Sequence, residues 1–81
     1  MLPADWHAIA KCESSLDPTA VSSTGKYRGL FQFDNRSWGY VGGSGDPSRA
    51  SVKEQYKRAK MLQELQGWSA WPVCSKKVGI Q

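Results

Sequence analysis

Close to the start of the chain lies the sequence PADWHAIAKCES, residues 3–14. Its apolar residues recur every third or fourth position, which places their side chains on one face of an α-helix. That face consists of Trp6, Ile9, Ala10 and Glu13. We predict a helix from Pro3 to about Ser14, with Pro3 at its first position. Glu13 interrupts the apolar face, near the helix end where a negative charge is disfavoured, and is therefore the first candidate for a functional role.

Two cysteines, Cys12 and Cys74, lie near opposite ends of the chain. They are too few for a zinc site unless His7 and a carboxylate join them. We favour a disulfide that closes most of the chain into one loop, with two unpaired buried thiols as the alternative. Such a bridge would stabilise the protein by about 4 kcal/mol. It would also indicate an oxidising compartment: the extracellular space, the cell wall or a virion.

With 81 residues the chain has room for one small core. We therefore predict a single domain over residues 1–81, with its core at about residues 5–75. The formal charge of +4 favours an anionic partner. The basic residues form no dense stripe, so we expect no nucleic-acid partner. We expect no membrane span, since no apolar run is long enough, and no signal peptide in this chain. Either a signal was removed or the chain is cut from a larger protein.

A second helix is predicted from Ser51 to Gln66. Ser51 and Glu54 fit a capping box at its start, and Gly67 is a natural stop at its end. The inner stripe of this helix is predicted to consist of Val52, Tyr56, Ala59, Leu62 and Leu65.

The middle of the chain is predicted to be less regular. Residues 15–29 have the composition of a loop. The aromatic segment Lys26 to Phe33 is predicted to form a short β-hairpin or extended piece. Asp34 or Asn35 is predicted to cap a short helix. That helix carries Ser37, Trp38 and Tyr40.

Burial of Glu13 against Trp6 and Ile9 would raise the pKa of its carboxyl group. A carboxylic acid that stays protonated near neutral pH can act as the general acid in glycoside cleavage. The usual mechanism needs a second carboxylate. No spacing distinguishes among the four aspartates that could supply it, which are Asp5, Asp17, Asp34 and Asp46.

Several segments resemble the resuscitation-promoting factor domain. Residues 6–14, WHAIAKCES, resemble its opening, and GLFQF (29–33), SW (37–38) and QGWSAWPVC (66–74) continue the match in order. Residues 13–22, ESSLDPTAVS, instead resemble a soluble lytic transglycosylase pattern. The resemblance implies a small lysozyme-like fold that is α+β but mostly α, with a short β-hairpin or extended segment and one disulfide.

The resemblance also implies roles for individual residues. Glu13 matches the catalytic acid, and Cys12 and Cys74 match a pair that bridges the first helix to the C-terminal segment. The residues that match or lie in substrate-contacting positions are Tyr27, Gly29, Leu30, Gln32, Ser37, Gln66 and Trp68. One departure concerns Ser14-Ser15-Leu16, where the family has a Gly-Gly pair soon after the catalytic Glu.

The implied activity is cleavage of peptidoglycan at the β-1,4 bond between N-acetylmuramic acid and N-acetylglucosamine. The enzyme would be a lytic transglycosylase or a lysozyme-type muramidase, acting on glycan strands with Glu13 as acid and base. A non-catalytic wall-binding module on the same fold is the alternative. We expect no cofactor, no metal site and a monomeric domain. The location would be extracellular, in the cell wall or in a virion, and the mixed pattern also suits a phage tail or lysin module.

Overall fold

The computed structural model describes residues 2–81 as helices joined by loops. The α-helices are α1 (Ala4–Ser14), α2 (Asn35–Tyr40), α3 (Val52–Gln66) and α4 (Pro72–Lys77), and two 3-10 helices span Pro47–Arg49 and Gly67–Ala70. The prediction of a mostly helical fold is confirmed. None of the helices in residues 2–81 has both the length and the hydropathy needed to cross a bilayer.

The core is built around the indole ring of Trp6 on α1. The rings of Phe31 and Trp71 meet it edge-on, with centroids 5.6 and 5.5 Å away. Tyr56 on α3 makes a similar contact at 5.6 Å, and Trp68 lies at 4.7 Å. Because such edge-on and tilted pairs add to the gain from burial, this cluster ties α1 to α3 and to the C-terminal segment.

The end of α1 has an unusual backbone. Ser15 and Leu16 both adopt left-handed conformations, with φ of 56° and 64°. Their N–H groups donate to the carbonyls of Lys11 and Ala10, which closes the helix. This conformation costs about 1 kcal/mol for each residue that has a side chain, whereas glycine adopts it without that cost. The Gly-Gly pair that the similar family has after its catalytic Glu would suit this turn. This chain forms the turn with Ser15 and Leu16 instead.

The start of α1 differs slightly from the prediction. Pro3 precedes the helix as its N-cap residue, and the first helical position belongs to Ala4. Pro3 still contributes, because its carbonyl accepts a hydrogen bond of 2.8 Å from the N–H of His7. The helix therefore begins one residue later than predicted.

Cys12 on α1 and Cys74 on α4 form a disulfide, with their Cα atoms 5.8 Å apart. The predicted bridge is confirmed, and the alternative of two unpaired thiols is wrong. The disulfide joins α1 and α4, which also pack against each other.

The predicted β-hairpin over Lys26 to Phe33 does not develop into strands within residues 2–81. Only two isolated antiparallel bridges form, Val21 with Arg28 and Arg28 with Phe33. Between the second pair lie residues 29–32, which we call the wall loop. Gly29 and Gln32 have positive φ, so the chain turns too tightly for a longer ladder.

Side chains from three other parts of the chain bind the backbone groups of the wall loop that a longer β-ladder would have paired. The N–H of Leu30 donates to Gln55 Oε1 at 2.7 Å, and its carbonyl accepts from Ser14 Oγ at 2.8 Å. The carbonyl of Phe31 accepts from Trp71 Nε1 at 3.0 Å. Buried backbone groups must be paired, and here α1, α3 and the segment before α4 each supply a partner. The wall loop is therefore fixed by tertiary contacts.

Helix α3 ends at Gln66 as predicted and begins at Val52, one residue later than predicted, with Ser51 as its N-cap. Ser51 Oγ accepts the N–H of Glu54 at 3.1 Å, and Gly67 ends the helix at a φ of 72°. Its predicted stripe is only partly buried, since Val52 is 47% and Leu65 60% exposed. Both lie near the ends of a helix about 22 Å long, which extends past the core at each end.

Gln55 lies at the N-terminal end of the buried face of α3 and was not predicted there. Besides binding Leu30, it donates through Nε2 to the carbonyls of Pro18 and Ala50, at 3.1 and 2.9 Å. We expect Gln55→Leu to lower the free energy of unfolding by about 3 kcal/mol, because the buried N–H of Leu30 and two partly buried carbonyls lose their partner. Urea denaturation measures this, with the half-buried Gln63 changed to Leu as control. Equal losses in both variants would contradict the assignment.

Candidate active site

A cleft of about 420 Å³ opens where α1 ends, beside the wall loop and the start of α2. Its polar lining consists of Glu13, Tyr27, Gln32, Asp34 and Ser37. Its apolar lining consists of Phe31, Phe33, Leu62, Ala70, Trp71, Pro72, Val73 and the bridged Cys74. Polar groups that converge between apolar walls are typical of small-molecule binding sites.

Glu13 lies in the last turn of α1 and its neighbours are anchored on both sides. Cys12 is held by the disulfide to α4. Ser14 Oγ contacts the carbonyl of Ala10 at 3.0 Å and that of Leu30 at 2.8 Å. The backbone that carries Glu13 is thus fixed to α4 and to the wall loop at once, which places this residue at the cleft.

The carboxyl group of Glu13 is half-buried and forms no ion pair with the described part of the chain. Neither of the two salt bridges formed by residues 2–81 involves it. Burial raises its pKa above the ordinary value for Glu, because desolvation penalises the charged form. The negative end of the α1 dipole acts in the same direction. Glu13 therefore keeps its proton to a higher pH than an exposed Glu.

This shift predicts how stability depends on pH. The folded pKa of Glu13 exceeds its unfolded pKa, so wild type loses stability as pH rises through that interval, whereas Glu13→Gln has no such group. We expect Glu13→Gln to gain stability relative to wild type as pH rises from the unfolded to the folded pKa of Glu13, and the gap to close in acid. Urea denaturation of both proteins across this range measures the gap. If the stabilities of the two proteins changed with pH in parallel, folding would not change the pKa of Glu13.

Asp34 brings a second carboxyl group to the cleft. It caps α2, and its Oδ1 accepts the N–H of Ser37 at 2.8 Å. This hydrogen bond lowers the pKa of Asp34, and the positive charges of Lys26 and Arg36 act in the same direction. The cleft therefore holds one carboxyl group whose pKa is raised, on Glu13, and one whose pKa is lowered. Such divergence is typical of acid–base sites.

The structure separates Asp34 from the other aspartates that the sequence left open. Asp17 accepts hydrogen bonds from the backbone and hydroxyl of Thr19. Asp46 pairs with Arg28 at 2.7 Å. Asp5 is exposed in the first turn of α1. Of these four aspartates only Asp34 lines the cleft. The fold distinguishes it from the others, whereas the spacing of residues in the sequence does not.

Three predicted substrate residues, Tyr27, Gln32 and Ser37, line the same cleft as Glu13. Gln32 Nε2 donates to the carbonyl of Gly29 at 2.9 Å, which fixes its side chain against the wall loop. Gln66 lines a neighbouring depression that shares Ser37 with the cleft.

The other three predicted substrate residues lie outside the cleft lining. Gly29 is buried with a φ of +87°, and a Cβ there would overlap Gln55 Oε1, so only glycine fits. Leu30 is 3% exposed and borders a depression next to Tyr56. Trp68 is half-buried against Trp6. Sugar contacts by these three residues stay predictions.

Trp71 is a cleft residue to which the sequence analysis assigned no role. Its ring forms part of the wall, and its Nε1 donates to the carbonyl of Phe31, 40 residues away along the chain. Because that contact spans half of the sequence, no local pattern signals it.

No group of three or more His, Cys, Asp or Glu side chains with the geometry of a metal site exists within residues 2–81.

Comparisons with known proteins show which family and relatives the sequence matches. Residues 2–74 match the family model described as a transglycosylase-like domain. The chain is 49% identical over 75 residues to resuscitation-promoting factor Rpf of Micrococcus luteus, covering 93% of this chain and 33% of that protein. It is 40% identical over 76 residues to RpfC of Mycobacterium tuberculosis, covering 94% and 54%, and 42% identical over 71 residues to RpfD of the same species, covering 88% and 46%.

The chain thus spans between a third and about half of the length of these relatives. The resemblance to resuscitation-promoting factors is confirmed. Since the family model covers nearly all of its residues, the chain belongs to the transglycosylase-like domain family.

Proposed function

We propose that this chain cleaves the β-1,4 bond between N-acetylmuramic acid and N-acetylglucosamine in peptidoglycan, as a lytic transglycosylase on a lysozyme-like fold. The observation that carries the proposal is Glu13, a half-buried carboxyl group with a raised pKa and no salt bridge within residues 2–81. It lies at a cleft that holds a second carboxyl group. The match to the transglycosylase-like domain family and to resuscitation-promoting factors supports a peptidoglycan substrate.

In the first step, protonated Glu13 donates its proton to the glycosidic oxygen as the bond breaks. A general acid works best when its pKa lies near the working pH, so the raised pKa of Glu13 suits this role. The sugar that remains develops positive charge at its ring oxygen and C1. Asp34, whose lowered pKa keeps it ionised, supplies a negative charge in the same cleft to stabilise that cation.

In the second step, the Glu13 carboxylate takes a proton from the C6 hydroxyl of the muramoyl sugar. That oxygen attacks C1 and closes a 1,6-anhydro ring, and Glu13 regains its proton for the next cycle. Asp34 is already bonded to the Ser37 N–H, which favours a role as a fixed charge over one as a nucleophile. A water molecule in place of the C6 hydroxyl would give hydrolysis by the same acid.

The surroundings of the cleft suit a glycan. Tyr27 is 41% exposed at the cleft edge, where an aromatic ring can stack on the apolar face of a sugar. Gln32 and Ser37 add an amide and a hydroxyl for sugar hydroxyls and acetamido groups.

We propose an extracellular or cell-wall location. The Cys12–Cys74 disulfide requires an oxidising compartment, and the charge of +4 favours an anionic polymer. The three relatives come from Micrococcus and Mycobacterium, and none is named as a phage protein, so the phage origin receives no support from them.

Mass spectrometry of the products released from purified peptidoglycan tests the proposal. The expected products end in 1,6-anhydro-muramic acid. Reducing ends would instead establish a muramidase with the same acid. Glycan binding with no release of soluble products would leave the alternative of a non-catalytic wall-binding module.

A further inference from the structure

Beyond Ser37 the cleft adjoins a second depression of about 450 Å³, lined by Arg36, Ser37, Tyr40 and Gln66. Ser37 belongs to the lining of both. A glycan strand that leaves the cleft past Ser37 would therefore enter this second depression. Three of the four lining residues come from α2, the helix that Asp34 caps.

The side chains of this depression are accessible to a ligand. Arg36 and Tyr40 are four residues apart on α2 and so share one side of the helix. Arg36 is exposed and takes part in neither of the two salt bridges formed by residues 2–81. Tyr40 is 65% exposed. A large aromatic ring and an unpaired guanidinium thus stand together on the surface, beside the amide of Gln66.

Asp34 does not neutralise Arg36 through a direct ion pair. Arg36 is near enough to lower the pKa of Asp34, yet Asp34 Oδ1 is bonded to the Ser37 N–H. The donors of the guanidinium are therefore free for a ligand. A neutral sugar makes little use of a full positive charge, whereas a carboxylate matches the guanidinium in both charge and shape.

We propose that Arg36, Tyr40 and Gln66 form a subsite for a carboxylate-bearing sugar unit of the glycan strand, adjacent to the catalytic cleft. This inference rests on the proposed function. Tyr40 stacks on the sugar ring, Gln66 bonds its polar substituents, and Arg36 binds the carboxylate. In peptidoglycan that carboxylate comes either from the lactyl group of a peptide-free muramoyl sugar or from the acidic residues of its stem peptide.

Binding measurements in the Glu13→Gln background test the subsite without cleavage. Titration calorimetry compares three oligosaccharides of equal length: peptide-free muroglycan, peptide-bearing muroglycan, and chito-oligosaccharide, which lacks carboxylates. Arg36→Gln is expected to weaken binding of at least one muroglycan about three- to tenfold at low salt, the range of an exposed charge-assisted pair. Binding of chito-oligosaccharide should stay within about twofold, since no charged pair is lost. The muroglycan that loses affinity identifies the source of the carboxylate.

Arg49→Gln is the matched control, because Arg49 is an exposed arginine that lines neither depression. It removes the same net charge and, at the same low salt, is expected to change all three affinities by less than about twofold. Equal effects of Arg36→Gln and Arg49→Gln on muroglycan would overturn the subsite. So would an equal loss with all three glycans, which would mean that Arg36 only supports α2.

The outcomes also separate this inference from the proposed function. If the parent cleaves peptidoglycan through Glu13 while Arg36→Gln binds muroglycan normally, only the subsite is wrong. If the parent neither cleaves peptidoglycan nor binds any of the three glycans, both are wrong.

Discussion

Replacing Glu13 with Gln is expected to lower the rate of peptidoglycan cleavage by about 10²- to 10⁴-fold, the usual contribution of a positioned general acid–base group. Gln preserves the shape of the side chain but can neither donate the proton that the leaving oxygen needs nor take one back. The loss should therefore fall on kcat, with binding of the glycan largely retained. Release of soluble muropeptides over time, measured by chromatography and mass spectrometry, gives the rate.

The matched control for this experiment is Glu64→Gln. Glu64 is exposed on α3 and does not line the cleft, so the same change in charge should leave the rate within about twofold of wild type, as for most surface substitutions. A Glu13→Gln protein that cleaves at the wild-type rate would refute the assignment of the acid. If wild type itself releases nothing while it binds glycan, the wall-binding module becomes the better description.

Removing the disulfide is expected to have the largest effect on stability. Cys12 and Cys74 are 62 residues apart, and the loss of that cross-link from the unfolded chain costs about 4 kcal/mol in the chain-entropy model. This is a large share of the roughly 5–15 kcal/mol by which ordinary domains are stable. Denaturation of a variant with both cysteines changed to Ser measures the loss.

The same variant tests the link between the bridge and the site. Cys12 precedes Glu13, and Cys74 lines the cleft, so we expect cleavage to fall even at temperatures where the variant stays folded. Reductant provides the control: it should bring wild type to the stability of the double variant and leave the double variant unchanged. A melting curve of wild type that does not respond to reductant would contradict the prediction.

Features that depend on residues close together along the chain could be predicted from the sequence. The spacing of apolar residues located α1 and α3 to within about one residue, and the caps at Ser51 and Gly67 were read correctly because capping is local. The disulfide followed from having only two cysteines in a small domain and from the family resemblance.

Features that depend on distant contacts were missed. Gln55 looks like a surface residue in sequence, yet it is fully buried because the wall loop needs its amide, 25 residues away. Four aspartates were equivalent as candidates until the fold placed Asp34 in the cleft. A short hairpin or extended piece was expected from aromatic content, but the backbone groups of Leu30 and Phe31 bind side chains from distant parts of the chain. Such partners cannot be identified from one-dimensional spacing.

The way the wall loop is held has a consequence for how the protein folds. Ser14, Gln55 and Trp71 lie 16, 25 and 40 residues from the backbone groups they bind. Closing such long loops is slow, because their entropy is lost before the contacts form. The cleft is thus completed only when the chain is nearly native, so no intermediate that lacks one helix should have a formed site. Recovery of catalysis during refolding should follow the slowest phase, later than the recovery of helical signal.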